Sequence, residues 1–184
     1  MKHIQAFAHT TSKWDGGTTT ELFIWPDGSS YAKKNFDFRI STATVLVDES
    51  VFTSLPGIQR TLMLLKGSLE LQHEGHHQIA LTPFKVDRFD GGWKTKSKGQ
   101  CLDFNLMCGD GFSGNVKHLS VDAEEEVHLD FTEEYHFIYV YSGAILCGEL
   151  EVRAGDLIII DDEEDVDIWA DKGAELVLVE VNEN

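Results

Sequence analysis

The amino-acid sequence predicts an all-β chain folded as two consecutive barrel halves of jelly-roll type. Three observations lead there. Short runs of β-branched and aromatic residues with in–out alternation recur along the chain, separated by turn residues. Hardly any segment carries the apolar spacing of an amphipathic helix; only residues 120–126 (SVDAEEE), with Ser ahead of acidic residues, suggest one short helical turn. A glycine-rich break, Gly109-Asp110-Gly111-Phe112-Ser113-Gly114, then divides the pattern into halves at 1–115 and 116–184.

The elements follow in order. Residues 36–47 (FDFRISTATVLV) place Phe36, Phe38, Ile40, Thr42 and Thr44 on one side of a strand, and Asp37, Arg39, Ser41, Ala43 and Val45 on the other. Residues 59–71 (QRTLMLLKGSLEL) read as two strands joined at Lys66-Gly67, 78–81 continue the meander after the HEGHH turn, and 102–107 form another strand. In the second half, strands are expected at 127–131, 137–141, 149–153, 157–160, 166–169 and 175–181.

A chain of 184 residues with 42% hydrophobic content buries a sizeable core without staples. Its three cysteines, Cys101, Cys108 and Cys147, are odd in number and show no C-x-x-C spacing, so neither a disulfide framework nor a zinc knuckle is indicated, and a reducing, cytoplasmic setting is expected. The first residues (MKHIQAFAHTTSKW) contain no continuous apolar segment, and no run approaches the roughly 20 apolar residues of a membrane span. The net charge of −17 argues against nucleic acid and anionic lipid as partners. That charge is uneven: residues 1–115 hold 12 Lys/Arg against 12 Asp/Glu, and residues 116–184 hold 3 against 20.

Residues 152–158 (VRAGDLI) resemble the Gly-Asp corner that enters the later strands of a cupin barrel. A more specific resemblance lies in the first half. Residues 14–22 (WDGGTTTEL) resemble the opening signature of the HutD/Ves family, where a Trp precedes a glycine cluster and a T-R-E triplet. Residues 36–43 (FDFRISTA) are similar to the family's F-D-W-R-x-S-x-A strand, and 52–62 (FTSLPGIQRTL) to its F-S-x-F-P-G-I-D-R-x-L segment. Phe89-Asp90-Gly91 and 103–107 (DFNLM) complete five ordered motifs. The chain departs from the pattern at Asp15, Thr18, Thr20 and Gln59, and residues 116–184 carry no comparably specific motif. The resemblance implies a bicupin fold. It also implies a regulatory or accessory protein of bacterial histidine utilisation that senses or scavenges a small metabolite, such as a degradation intermediate.

Metal-dependent cupins use an H-x-H pair with a following Glu and a later His, and no H-x-H occurs here. His73, His76 and His77 are read as a solvated hairpin turn, His128 and His136 as structural, and His3, His9 and His118 as belonging to no constellation. The run Asp161-Asp162-Glu163-Glu164-Asp165 lacks calcium-loop spacing and is read as a solvated loop. No G-x-S-x-G elbow is present, and Cys101 and Cys108 sit on or beside an apolar strand, so no catalytic set, metal or cofactor is expected.

Polar groups on otherwise apolar strands carry the functional expectation. Arg39 and Ser41 share a side with Ala43 and Val45, Arg60 with Leu62 and Leu64, and Asp103 with Asn105, so these groups point into the first half. A buried Arg requires a partner. Either the arginines pair internally, for example Arg39 with Glu21 and Arg60 with Asp103, or one guanidinium is left for a ligand carboxylate. Trp14, Gly16, Gly17 and Thr19 would line the mouth, the glycines admitting close backbone approach. The ligand-binding set is thus Trp14, Gly16, Gly17, Thr19, Glu21, Arg39, Ser41, Arg60, Asp103 and Asn105, and the partner is a small carboxylate-bearing molecule. Two other readings stay open: a metal-independent hydrolase or isomerase with Asp103 or Glu21 as base, and an acidic module that docks on a basic protein. A homodimer is compatible with the strands, without a defined interface.

Overall fold

The computed structural model describes residues 1–131, 134–160 and 165–184. The strands begin with β1 (Lys2–Ile4), β2 (Thr10–Trp14), β3 (Gly17–Trp25), β4 (Phe38–Val45), β5 (Glu49–Val51) and β6 (Gln59–Gly67). They continue with β7 (Leu69–His73), β8 (Gln78–Leu81), β9 (Val86–Asp90), β10 (Thr95–Lys98), β11 (Cys101–Cys108) and β12 (Phe112–Val121). The last are β13 (Glu125–Asp130), β14 (Tyr135–Cys147), β15 (Leu150–Arg153), β16 (Leu157–Ile160), β17 (Asp165–Ala170) and β18 (Ala174–Glu183). Among the described residues the only helical element is a 3-10 turn at Ala6–Ala8, and no helix is long and apolar enough to cross a membrane.

The chain divides into two compact units, Thr10–Ser113 with Asn184, and Gly114–Glu183 with Met1–His9. The first nine residues therefore go with the C-terminal unit, because β1 pairs with β16 and Ala6 N–H donates to Asp156 at 2.8 Å.

The Thr10–Ser113 unit contains a six-stranded sheet in the order β2-β3-β4-β11-β6-β9 and a four-stranded sheet in the order β5-β10-β7-β8. The chain passes between these sheets six times, and two of the crossings, from β6 to β7 and from β10 to β11, turn at a glycine. Glycine makes both crossings possible. Gly67 and Gly99 have φ of +91° and +117°, and a Cβ on either would fall 2.4 Å from the Gln100 carbonyl oxygen and 2.2 Å from that of Ser68. Leu62, Leu64, Leu69, Leu71, Leu81, Phe89 and Cys101 form a buried cluster contributed by strands of both sheets.

The Gly114–Glu183 unit has one branched eight-stranded sheet, running β1-β16-β14-β17-β13, with β12 on β18 and both β15 and β18 on β14. β14 is far longer than the expected 137–141. It passes through Ser142-Gly143, which reads in sequence as a break, by shifting register between Val140 and Ser142. This lets its two ends pair with different strands. Residues 120–126 contain no helix: β12 runs to Val121, Asp122 N–H donates to Glu125 Oε2 at 2.6 Å, and Glu124 turns the chain at φ +60°.

The closed barrels expected from sequence are not present among the described residues. Among the described residues the ladders of the Thr10–Ser113 unit end at β2 and β9 in one sheet and at β5 and β8 in the other, and the main ladder of the Gly114–Glu183 unit ends at β1 and β13, so the strands form open sheets. Of the acidic run, Asp161, Asp162, Glu163 and Glu164 lie outside the described residues, and Asp165 opens β17.

Candidate functional site

The side chains expected to point inward do so because of strand register. β11 lies between β4 and β6, and Met107 stands opposite Arg39 on one side and Arg60 on the other. Two residues along, Asn105 stands opposite Ser41 and Leu62, and Asp103 opposite Ala43 and Leu64. Alternation puts all of these on one face of the sheet. That face walls a cavity of about 310 Å³ lined by Arg39, Ser41, Arg60, Asp103 and Asn105, with Trp14 and Thr19 from the β2–β3 hairpin. Seven of the ten expected binding residues thus line one space.

The other three have structural places. A Cβ on Gly16 would lie 2.0 Å from the Trp14 ring and one on Gly17 would lie 1.9 Å from the Thr44 carbonyl, so these glycines admit the indole and the neighbouring strand. Glu21 is committed to Arg39, accepting from its Nε at 2.8 Å.

The two arginines differ in how they are held. Arg39, besides its ion pair with Glu21, donates from Nη1 to Ser41 Oγ at 3.1 Å and stacks on Tyr31 with its guanidinium carbon 4.7 Å from the ring centre. Arg60 donates from Nη2 to Asn105 Oδ1 at 2.6 Å, and its buried Nε has no hydrogen-bond partner among the described residues. The guanidinium carbon lies 4.7 Å from the Phe52 ring centre and 5.2 Å from that of Phe89. The expected Arg60–Asp103 ion pair is not formed. Arg60 is opposite Met107, so Asn105 intervenes, receiving from Arg60 and donating to Asp103 Oδ1.

Burial controls the electrostatics. Desolvation pushes the Asp103 carboxyl up to about 7 against the opposing pull of Arg60. Desolvation also draws the Arg60 guanidinium down to about 10, which leaves it a cation at neutral pH. The cavity therefore contains one cation matched by Glu21 and a second whose direct partner is a neutral amide. A pairing of Glu21 with Asp103 as acid and base is not assembled. Glu21 stands opposite Ser41 on β4, with β11 beyond, so two strand spacings, about 10 Å, separate β3 from β11.

Sequence reasoning missed Tyr31, Phe52 and Phe89. Phe52 and Phe89 stood in family-like motifs without being assigned to the binding set; Tyr31 belongs to an irregular connection with no periodic signal. The buried Cys101 and Cys108 thiols are pushed up to about 12, chiefly by desolvation. Neither should react with a disulfide reagent at pH 8 until the protein is unfolded, which absorbance at the released thiolate would follow.

The HutD family model matches residues 6–178. The chain belongs to the HutD family. Among solved structures, this HutD-family chain is similar to a conserved protein of unknown function, PA5104, from Pseudomonas aeruginosa PAO1, with TM-score 0.82 and 21% identity over 98% of each chain. It is similar to HutD from Pseudomonas fluorescens SBW25 (formate condition), with TM-score 0.77 and 19% identity over 100% of this chain and 98% of that one. A cupin 2 conserved barrel domain protein from Leptotrichia buccalis matches with TM-score 0.60 and 12% identity over 98% and 96%. These likenesses establish a cupin-like fold. Among curated proteins no sequence match is found.

The HEGHH turn departs from its sequence reading. His76 is exposed and stacks on Trp93 with ring centres 3.7 Å apart, and the His77 side chain is 40% exposed. His73, however, is buried, with Nδ1 2.8 Å from Thr95 Oγ1 and Nε2 2.8 Å from Asp87 Oδ2. It ends a strand whose alternation sends it inward beside Leu71 and Leu69. Of the remaining histidines, His128 is exposed and held by Asp167 at 2.7 Å, while His136 is buried and stacks on Phe131.

Proposed function

We propose that the cavity binds a small carboxylate-bearing metabolite and that this HutD-family chain is a non-catalytic, cytoplasmic accessory protein associated with histidine utilisation, its two units being read as cupin-type halves. The observation that carries the reading is Arg60: buried in the cavity wall, cationic, and, among the described residues, with Nε unpartnered and a side-chain hydrogen bond only to neutral Asn105. A ligand carboxylate supplies what that guanidinium lacks, through charge-assisted hydrogen bonds. Calorimetric titration with urocanate, formiminoglutamate, formylglutamate, glutamate and histidine tests it. Saturable binding by at least one of them is expected; no binding by any, or equal binding by an Arg60→Ala variant, removes the reading.

Proton linkage gives a second check. Asp103, raised to about 7, loses its charge as pH falls through that value, which makes the cavity more positive. Carboxylate binding should therefore take up a proton near neutral pH and weaken roughly 3- to 10-fold between pH 6 and pH 8. Asp103→Asn should flatten the profile.

The same carboxyl favours a second reading, a metal-independent hydrolase or isomerase in which Asp103, near 7 and on the cavity wall, is the general base. Turnover of amino-acid-derived amides that Asp103→Asn abolishes would select it over the binding protein.

A further inference from the structure

We propose that His73, His77 and Asp87 form a binding site for a divalent transition-metal ion of the zinc class. Three strands bring them together. His73 ends β7 and His77 immediately precedes β8, their hairpin closed by the His73 amide donating to the His77 carbonyl at 2.9 Å, and Asp87 lies on β9. His73 Nε2 lies 2.8 Å from Asp87 Oδ2, and His77 Nε2 lies 2.9 Å from Oδ1. The donor atoms all fall within 4.8 Å of one another. In a tetrahedral zinc site with bonds of about 2.0–2.2 Å, neighbouring ligand atoms sit roughly 3.3 Å apart, so a small adjustment of these side chains admits the ion.

The surroundings are those of a ligand set. Asp87 is buried, and among the described residues the side-chain partners of its carboxylate are the two imidazoles alone, with no Lys or Arg ion pair. A cation between the three groups would compensate that buried charge. The outer ring nitrogen of His73 is already held: Nδ1 lies 2.8 Å from Thr95 Oγ1, whose hydroxyl donates to the Trp93 carbonyl at 3.4 Å. With Nδ1 protonated and donating to Thr95, the Nε2 lone pair is directed at the site, the orientation that outer partners impose on metal-bound histidines. Phe89 and Trp93 shield the inner side, with ring centres 4.5 Å and 5.6 Å from that of His73. His77 leaves the outer side open to solvent, which provides an entry path and a vacant coordination position.

Two imidazoles and one carboxylate suit a borderline ion such as zinc or cobalt(II), whereas calcium and magnesium prefer more oxygen donors. The three residues are absent from the lining of the carboxylate cavity, so the site is separate from it.

The test uses untagged full-length protein, stripped with a chelator and titrated with zinc by calorimetry and with cobalt(II) by visible absorption. Wild type is expected to bind one equivalent, with the strong d–d bands of a four-coordinate cobalt ion. His77→Gln, at a half-exposed position that tolerates substitution, should weaken binding at least 10- to 100-fold at unchanged melting temperature in chelator. Asp87→Asn should weaken it similarly. His128→Gln, which alters an exposed histidine flanked by Asp130 and Asp167, should leave it unchanged. The proposal is overturned by the absence of stoichiometric metal in wild type, by undiminished binding in His77→Gln, or by binding that disappears only with His128→Gln.

Discussion

Replacing Arg60 with methionine is expected to weaken carboxylate binding by about 2–5 kcal/mol, roughly 30- to 4,000-fold, the range for removing one partner of a buried, hydrogen-bonded charge pair. The effect should exceed that of Arg39→Met, because Arg39 already spends its Nε on Glu21 and Nη1 on Ser41. The loss should not come from unfolding. Arg60 is 8% exposed and stacked against Phe52 and Phe89, and methionine fills that slot with apolar, flexible volume while removing a desolvated charge. Thermal denaturation of the variant without ligand should therefore give a melting temperature equal to or above that of wild type. A strongly destabilised variant would mean that Arg60 serves the fold and not the ligand.

Leu64→Ala is expected to produce the largest loss of stability among these substitutions, about 3 kcal/mol and within the 2–5 kcal/mol seen for fully buried leucines. Leu64 is 0% exposed and belongs to the buried cluster shared by strands of both sheets. It also sits on β6 opposite Asp103, so a cavity there falls beneath the strand that presents Arg60. For a chain of this size the loss corresponds to roughly 6–12 °C in melting temperature. Chemical denaturation should show a lower midpoint at an unchanged slope; a changed slope would point to loosening of the native sheets.

Strand alternation made much of the site legible in the sequence. Once residues 36–47, the first part of 59–71 and 102–107 are strands, period-two alternation alone puts Arg39, Ser41, Arg60, Asp103 and Asn105 on inward faces, and the cavity unites them. What alternation leaves open is register. The offset that sets Arg60 against Met107 inserts Asn105 before Asp103 and leaves the Arg60 Nε unpartnered. No local pattern encodes that offset, because it depends on how three distant strands slide past one another.

The HEGHH segment misleads for a related reason. Its composition is that of an exposed turn, and His76 and His77 behave accordingly, but His73 is the last inward position of β7 and meets Asp87 and Thr95 from strands 14 and 22 residues away. The glycine crossings belong to the same class. Gly67 is visible as a turn residue, yet its role in passing a strand from one sheet to the other appears only beside Gly99. β14 shows the converse, a strand that continues through Ser142-Gly143 because its two ends pair with different neighbours.

The most direct test of the proposed carboxylate binding is a crystal structure of the protein with the tightest-binding carboxylate of the calorimetric panel. The ligand carboxylate is expected within about 2.7–2.9 Å of the Arg60 guanidinium, with Nε or a terminal nitrogen donating to it. Carboxylate density located away from β4, β6 and β11, with Arg60 still bound only to Asn105, would contradict the account.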